Sequence, residues 1–215
     1  MEERVKTRDS KRHRLLFSYA KLVDRIKSSA SGEINIPLSV LKNVIELAVE
    51  IAREGREGRK IGTIFTVGGE QKVIDLSHPL ILDPLAGHAS EKKKIADISV
   101  RETIKELSQL DGAFIISRDG EVISATRYLD ARKENVDLPL GLGSRHVAAA
   151  SISRETGCVA IVVSESAVVR IILDGKIIAE ILPELWLFHQ QRSAISDALI
   201  EKISDKNITF ISPKE

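Results

Sequence analysis

The chain is 215 residues long, 43% hydrophobic and 29% charged, and its 32 Lys and Arg against 31 Asp and Glu leave a formal net charge of +1. This is the balance of a globular protein of one or two domains with enough apolar residues to bury a core, and it excludes disorder as the main state. It also excludes a bulk polyanion binder, which needs a basic excess to neutralise phosphates. A single cysteine, Cys158, leaves no internal disulfide and no cysteine-rich zinc cluster, and an aromatic content of 4% leaves little surface for base stacking. No apolar run approaches the roughly 18 residues of a membrane span, and the charged N-terminus lacks an apolar signal core. The expectation is a cytoplasmic protein that makes no membrane contact.

In chain order, Leu15, Leu16, Tyr19, Leu22, Val23 and Ile26 fall at threes and fours, the spacing of one apolar stripe on a helix. Its other residues are basic: Arg4, Lys6, Arg8, Lys11, Arg12, Arg14, Lys21, Arg25 and Lys27 outnumber four acidic residues in the first thirty. Such a helix either docks with a solvated face or touches an anionic partner. A second helix is predicted from about Pro37 to Arg53, with Val40, Val44, Leu47 and Ile51 inward. The pattern then turns to period two: Ile61 to Val67 reads as a strand stopped by Gly68-Gly69. Residues 70–97 lack clear periodicity and read as a long loop with one short element. Ser99-Val100-Arg101-Glu102 has the form of a capping box opening a helix over Val100, Ile104 and Leu107.

A hairpin follows, 112–117 and 121–125 around Asp119-Gly120. A glycine-bearing segment leads into a small-residue helix near Arg145, and Cys158 to Val163 is an apolar run suited to a strand buried on both faces. A second hairpin turns at Asp174-Gly175, and an amphipathic helix is predicted around Ala194 to Ile203. Interleaved helices and strands, with hairpins among crossovers, indicate an α/β fold in which helices pack in layers on a mixed sheet. The organisation expected is a helical N-terminal region over 1–58, a core domain over 59–182 and a helical extension over 183–215 packed on that core.

Three segments carry candidate chemistry. Asp111-Gly112-Ala113 places a carboxylate at a helix-to-strand junction beside a glycine that lets a ligand approach the backbone, though Asp-Gly is also an ordinary turn pair. Gly141-Leu142-Gly143-Ser144-Arg145-His146 combines glycines, a hydroxyl and a guanidinium at a helix start, the elements of a phosphate cradle as well as of a plain loop-to-helix junction. It has neither the Gly-Lys-Ser/Thr of a Walker loop nor the glycine spacing of a dinucleotide fold. Ser164-Glu165 ends the buried strand, where polar groups line ligand crevices or simply start a turn. His13, His78, His88 and His189 share no metal-ligand spacing.

In this order and spacing, the Asp-Gly-Ala, Arg-His and Ser-Glu segments resemble the diadenylate cyclase domain family over about residues 60–182, as a soluble, archaeal-type member. Ala125-Thr126-Arg127-Tyr128-Leu129 resembles the family's adenine-pocket segment, and Glu155-Thr156-Gly157 the turn before its Val-Ser-Glu strand. The resemblance implies condensation of two ATP into cyclic di-AMP with release of two pyrophosphates, in a homodimer or higher homo-oligomer whose half-sites meet face to face. It implies Mn2+ or Mg2+ as the divalent metal at Asp111 and Glu165. Asp111, Arg145 and His146 would be catalytic, and ATP would contact Gly112, Ala113, Thr126, Leu129, Gly143, Ser144, Arg145, His146, Ser164 and Glu165. An ordinary aspartate is a weak base at neutral pH, which favours metal-assisted activation of the hydroxyl over simple proton removal by Asp111.

Two positions depart from the family pattern. Val147 stands where an arginine is usual, which removes one cation from the phosphate side, and Leu110 stands where some members carry a metal-binding histidine. Val147 also motivates an alternative, a nucleotide-binding module of the same fold with weak or no turnover. No nucleic-acid partner is expected; any such contact would run through the basic residues 4–27.

Overall fold

The structure, a computed structural model of the chain, describes residues 35–130, Val136, 138–183, 198–203 and 208–213, together with Asp24 and Ile26. Helix α1 spans Leu38–Glu54. Strand β1 (Thr63–Val67) is followed by the short helix α2 (Glu70–Asp75) and strand β2 (Ser77–Pro79). A 3-10 turn at Ser90–Lys93 precedes helix α3 (Ile98–Leu107). Strands β3 (Ala113–Ile116) and β4 (Val122–Leu129) form the first hairpin, and helix α4 covers Ser144–Thr156. Strands β5 (Val159–Val163), β6 (Val169–Leu173) and β7 (Lys176–Leu182) precede the last pair, β8 (Ala198–Ile203) and β9 (Ile208–Pro213).

The described strands form one mixed sheet in the order β2-β4-β3-β1-β5-β6-β7-β9-β8, in which β1 and β3 run parallel and every other pair is antiparallel. Alternation along the central strands sends side chains to two separate cores. Phe65, Val67, Phe114, Ile116, Ile161 and Val163 meet α1 and Ile104 of α3 on one face. Ile64, Ile115, Ala160 and Val162 meet Ala149, Ala150 and Ile152 of α4 and Val73 of α2 on the other. Helices on both faces explain why β1, β3, β5 and β6 are buried at every position and read as continuous apolar runs. The small residues of α4 let that helix lie close against the sheet, and Phe65 stacks on Phe114 with ring centroids 5.2 Å apart.

The predicted elements from 37 to 182 are present, with differences that have local causes. Helix α3 begins two residues earlier than a Ser99 cap requires: the Asp97 carboxylate accepts from the Ser99 N–H at 2.8 Å, while Glu102 accepts from Lys105. The 70–97 stretch holds α2 and β2 as well as the 3-10 turn. Asp174 and Gly175 both have positive φ, +48° and +76°, the geometry a two-residue hairpin loop demands.

The predicted helix near the C-terminus is corrected: Ala198–Ile203 is a strand, and residues 194–197 lie outside the described residues. The segment 208–213 pairs with the otherwise open edge of β7, Ile181 opposite Phe210, and 198–203 pairs with it in turn. Satisfying a row of backbone groups along a sheet edge outweighs the helix-like apolar spacing in these six residues. Of the predicted N-terminal stripe only Ile26 is described; it is helical and buried with α1 in the main core, and the rest lies outside the described residues.

Candidate active site

The topology brings the three chemical segments to one end of the sheet. Because β5 runs antiparallel to β1, with Thr63 opposite Val163, the residues that follow β5 lie beside those that precede β1. The parallel pairing of β3 with β1 sets Asp111 and Gly112 at the same end. Helix α4 starts there, and no side chain caps its first turn. A cleft of about 550 Å3 opens between them, within the usual size of a small-molecule site.

Arg145 joins the carboxylates. Its Nη1 donates to Glu165 Oε1 at 2.8 Å and its Nη2 to Asp111 Oδ1 at 3.2 Å. Asp111 Oδ1 also accepts from the Gly112 N–H at 2.9 Å. The Asp111 and Glu165 side chains are 69% and 64% exposed, so the bridge is solvent-screened and contributes on the order of 1 kcal/mol or less. An incoming phosphate, offering charge-assisted and bidentate acceptors, competes successfully for such a guanidinium.

Gly112 is fixed by its backbone. Its φ is +109°, and a Cβ there would lie 2.7 Å from the carbonyl carbon of Thr126. The close approach coincides with an irregular register between β3 and β4 and with a positive φ of +54° at Thr126. Thr126 is buried, and the backbone beyond it is tied down: its carbonyl accepts from the Leu80 N–H at 2.8 Å. Asp83 holds the same strap onto β4, accepting from the Ser124 hydroxyl at 2.6 Å and from the Leu85 and Ala125 N–H groups.

Of the sequence-predicted site residues, Asp111, Gly112, Ala113, Leu129, Ser144 and Arg145 line the cleft. Glu165 reaches the site through Arg145, and Gly143 is the residue at which α4 begins. Thr126 shapes the wall from beneath. Ser164 stabilises its own turn, its hydroxyl 2.9 Å from that of Ser166. His146 points elsewhere. It is buried, and its Nε2 lies 3.1 Å from Arg170 Nη1, which in turn belongs to a buried ion pair in which Arg170 Nε donates to Glu180 Oε1 at 2.7 Å.

Because a guanidinium only donates, His146 Nε2 accepts and the ring is the neutral Nδ1–H tautomer. Burial, then the charges of Arg170 and Arg145, push its pKa down to about 4. His146 is therefore placed by Arg170 within the first turn of α4 and is not among the residues that line the cleft.

Ile64, Leu80 and Ala148 also line the cleft, and no sequence signal marks them for it; Arg127, Tyr128, Leu142 and Val147 line it too, from segments the sequence already marks. Val147 faces the cleft, so the missing cation is missing at the site itself. Arg127 commits its Nε and Nη2 elsewhere, to Ser77 Oγ at 3.1 Å, Ser77 O at 2.6 Å and Ile74 O at 3.1 Å, tying β2 and the end of α2 to β4.

The donors suit a hard divalent cation shared with a polyphosphate. Asp111 and Glu165 offer carboxylate oxygens, and among the described residues no group of three or more His, Cys, Asp or Glu forms a metal site. A Mg2+ or Mn2+ held by one or two carboxylates plus substrate phosphate oxygens matches that set. Cys158 is buried, with its thiol pushed up to about 12 by burial, and takes no part.

Two carboxylates, a guanidinium and an uncapped helix start gathered at one end of a layered α/β sheet have the make-up of a phosphate-binding site. The family model described as DisA bacterial checkpoint controller nucleotide-binding (DAC) matches residues 50–177, and the chain belongs to that family. It is 53% identical over 144 residues to a diadenylate cyclase of Methanocaldococcus jannaschii, covering 66% of this chain and 45% of that protein. It is 43% identical over 150 residues to a diadenylate cyclase of Haloferax volcanii, covering 68% of this chain and 54% of that protein. The chain thus matches about half the length of these curated relatives. A crystal structure of DacA from Staphylococcus aureus, a double mutant, aligns with a TM-score of 0.44 at 21% identity, covering 64% of this chain and 83% of that one. No helix among the described residues is long and apolar enough to cross a membrane.

Proposed function

We propose that the chain condenses two ATP molecules into cyclic di-AMP and two pyrophosphates. The observation that carries this reading is the convergence of Asp111, Arg145 and Glu165, far apart in sequence, at the mouth of one cleft beside the start of α4. The relatives called diadenylate cyclase supply its chemistry.

In the reaction each ribose 3′-oxygen forms a bond to the α-phosphorus of the other nucleotide, the bond from that phosphorus to pyrophosphate breaks, and the hydroxyl proton is lost. Positioning and charge neutralisation do most of the work in such a transfer. Ser144, Arg145 and the first amides of α4 hold the triphosphate. Ile64, Leu80, Leu129 and Leu142 offer the adenine an aliphatic wall, consistent with a chain poor in aromatics. Asp111 lies at the ribose side, where it orients the hydroxyl and takes up or relays its proton. A Mg2+ or Mn2+ held by Asp111 and Glu165 supplies neutralisation of phosphate charge and acidification of the attacking hydroxyl when bound.

A two-fold product calls for two half-sites facing each other, an isologous contact. The cleft rim supports this: Leu80 is 41% exposed, and the next two residues, Ile81 and Leu82, are 47% and 93% exposed, with Leu140 fully exposed beyond Leu142. Large exposed apolar side chains next to a cleft are the kind of surface that mediates association. Turnover per protomer is therefore expected to fall on dilution, and to fall further in Leu82→Glu, which places a charge at the facing rim while leaving ATP binding by the single protomer intact. Turnover per protomer that ignores both dilution and Leu82→Glu would rule out the facing arrangement. The second reading, a binding module without turnover, rests on Val147 in the cleft wall; it predicts ATP binding with no cyclic product.

A further inference from the structure

Gly62 immediately precedes β1. Unlike Gly112, its φ lies outside the positive range, so its backbone is one that any residue adopts. What the position lacks is room. A Cβ at Gly62 would lie 2.8 Å from Arg145 Nη1, 3.1 Å from Arg145 Cζ and 3.3 Å from Glu165 Cγ. All three nearest atoms are side-chain atoms of the two groups that form the bridge, and no backbone atom is among them. The flat guanidinium and the Glu165 stem thus lie directly against the bare Cα.

Arg145 has five N–H donors. One from Nη1 and one from Nη2 are committed to Glu165 and Asp111, which leaves one on each Nη and the one on Nε for an anion in the cleft. Which way those three point is set by where the guanidinium plane rests.

We propose that Gly62 is a positioning residue: its bare Cα is the seat of the Arg145 guanidinium and the Glu165 stem, and so fixes the direction in which Arg145 presents its remaining N–H donors. This deepens the reading of the cleft as a triphosphate site and rests on it for the ligand, but not for the seat. A methyl at position 62 displaces the guanidinium and the Glu165 stem together, because both are flexible, and leaves the sheet untouched.

The test uses Gly62→Ala and binding of α,β-methylene-ATP with Mg2+ by calorimetry. Affinity is expected to fall by about tenfold, the scale of a sub-ångström misplacement of one binding group, with an unchanged thermal midpoint. In an Arg145→Ala background the same substitution is expected to cost nothing further. An equal loss in both backgrounds, or no loss in the native one, overturns the proposal.

A second readout needs neither nucleotide nor variant. A seated, doubly bonded guanidinium rotates slowly about Cζ–Nη, so nitrogen NMR of the native chain is expected to resolve separate Arg145 Nη signals, and freely rotating Nη groups would overturn the seat even if Gly62→Ala failed to fold. If the native chain binds no ATP analogue while those signals are resolved, the triphosphate reading fails and the seat stands.

Discussion

Asp111→Asn is expected to lower cyclic di-AMP formation by about 10²–10³-fold, the scale on which deleting one electrostatic group from a transition state acts. The substitution is a clean one. The Asn amide oxygen still accepts from the Gly112 N–H and from Arg145, the two bonds that Asp111 Oδ1 makes, so the helix-to-strand junction and the Gly112 turn persist. What is removed is the negative charge and an oxygen donor to a cation. The loss should therefore appear in turnover, with the thermal midpoint and the affinity for nucleotide in the absence of metal close to native. Product separation across a range of Mn2+ and Mg2+ concentrations measures it; turnover within a few-fold of native would remove Asp111 from the chemistry.

Glu180→Ala is expected to destabilise the fold by about 3–5 kcal/mol, as the loss of one member of a buried ion pair does when the other charge stays behind. Arg170 and Glu180 sit opposite each other on β6 and β7, at 7% and 1% exposure, and Arg170 also carries His146. Replacing both, as Arg170→Met with Glu180→Leu, removes the stranded charge and should recover most of that loss, although it takes the Arg170 donor from His146 Nε2. Urea denaturation of the single and double variants decides it. A double variant as unstable as Glu180→Ala alone would mean that the pair is worth more than its desolvation costs.

The sequence was most legible where local rules decide. Asp-Gly at 119–120 and 174–175 marked both hairpins, the periodicity of 37–53 marked α1, and the unbroken apolar run at 158–163 marked a strand covered on both faces. The site was legible in its charged groups through the order and spacing of Asp111, Arg145 and Glu165, since each alone is ordinary at its junction, and the structure unites all three. What escaped depends on contacts distant in sequence. Gly62 has an ordinary backbone, and its meaning comes from side chains 83 and 103 positions later.

His146 sits beside Arg145 in the chain, but on a helix successive side chains diverge by about 100°, so one faces the cleft and its neighbour the sheet. The strand at 198–203 carries apolar residues at spacings that suit a helix, and only the open edge of β7 and the pairing partner at 208–213 decide otherwise. Leu80 reaches the cleft because Asp83 straps its loop to β4, a contact spanning some forty residues.

Near-neutral net charge takes on a sharper meaning in this setting. Under the proposed function the attraction of two triphosphates is local, and with Val147 in the cleft and Arg127 Nε and Nη2 bonded to Ser77 and Ile74, Arg145 and the start of α4 are expected to provide it. The measurement that bears most directly on the account is the stoichiometry of the purified chain with ATP labelled at the α- and γ-phosphates in the presence of Mn2+ or Mg2+. One cyclic di-AMP carrying both α-phosphates is expected for every two ATP consumed, with two pyrophosphates released. ATP bound in the cleft and recovered unchanged, at every metal and protein concentration, would contradict it.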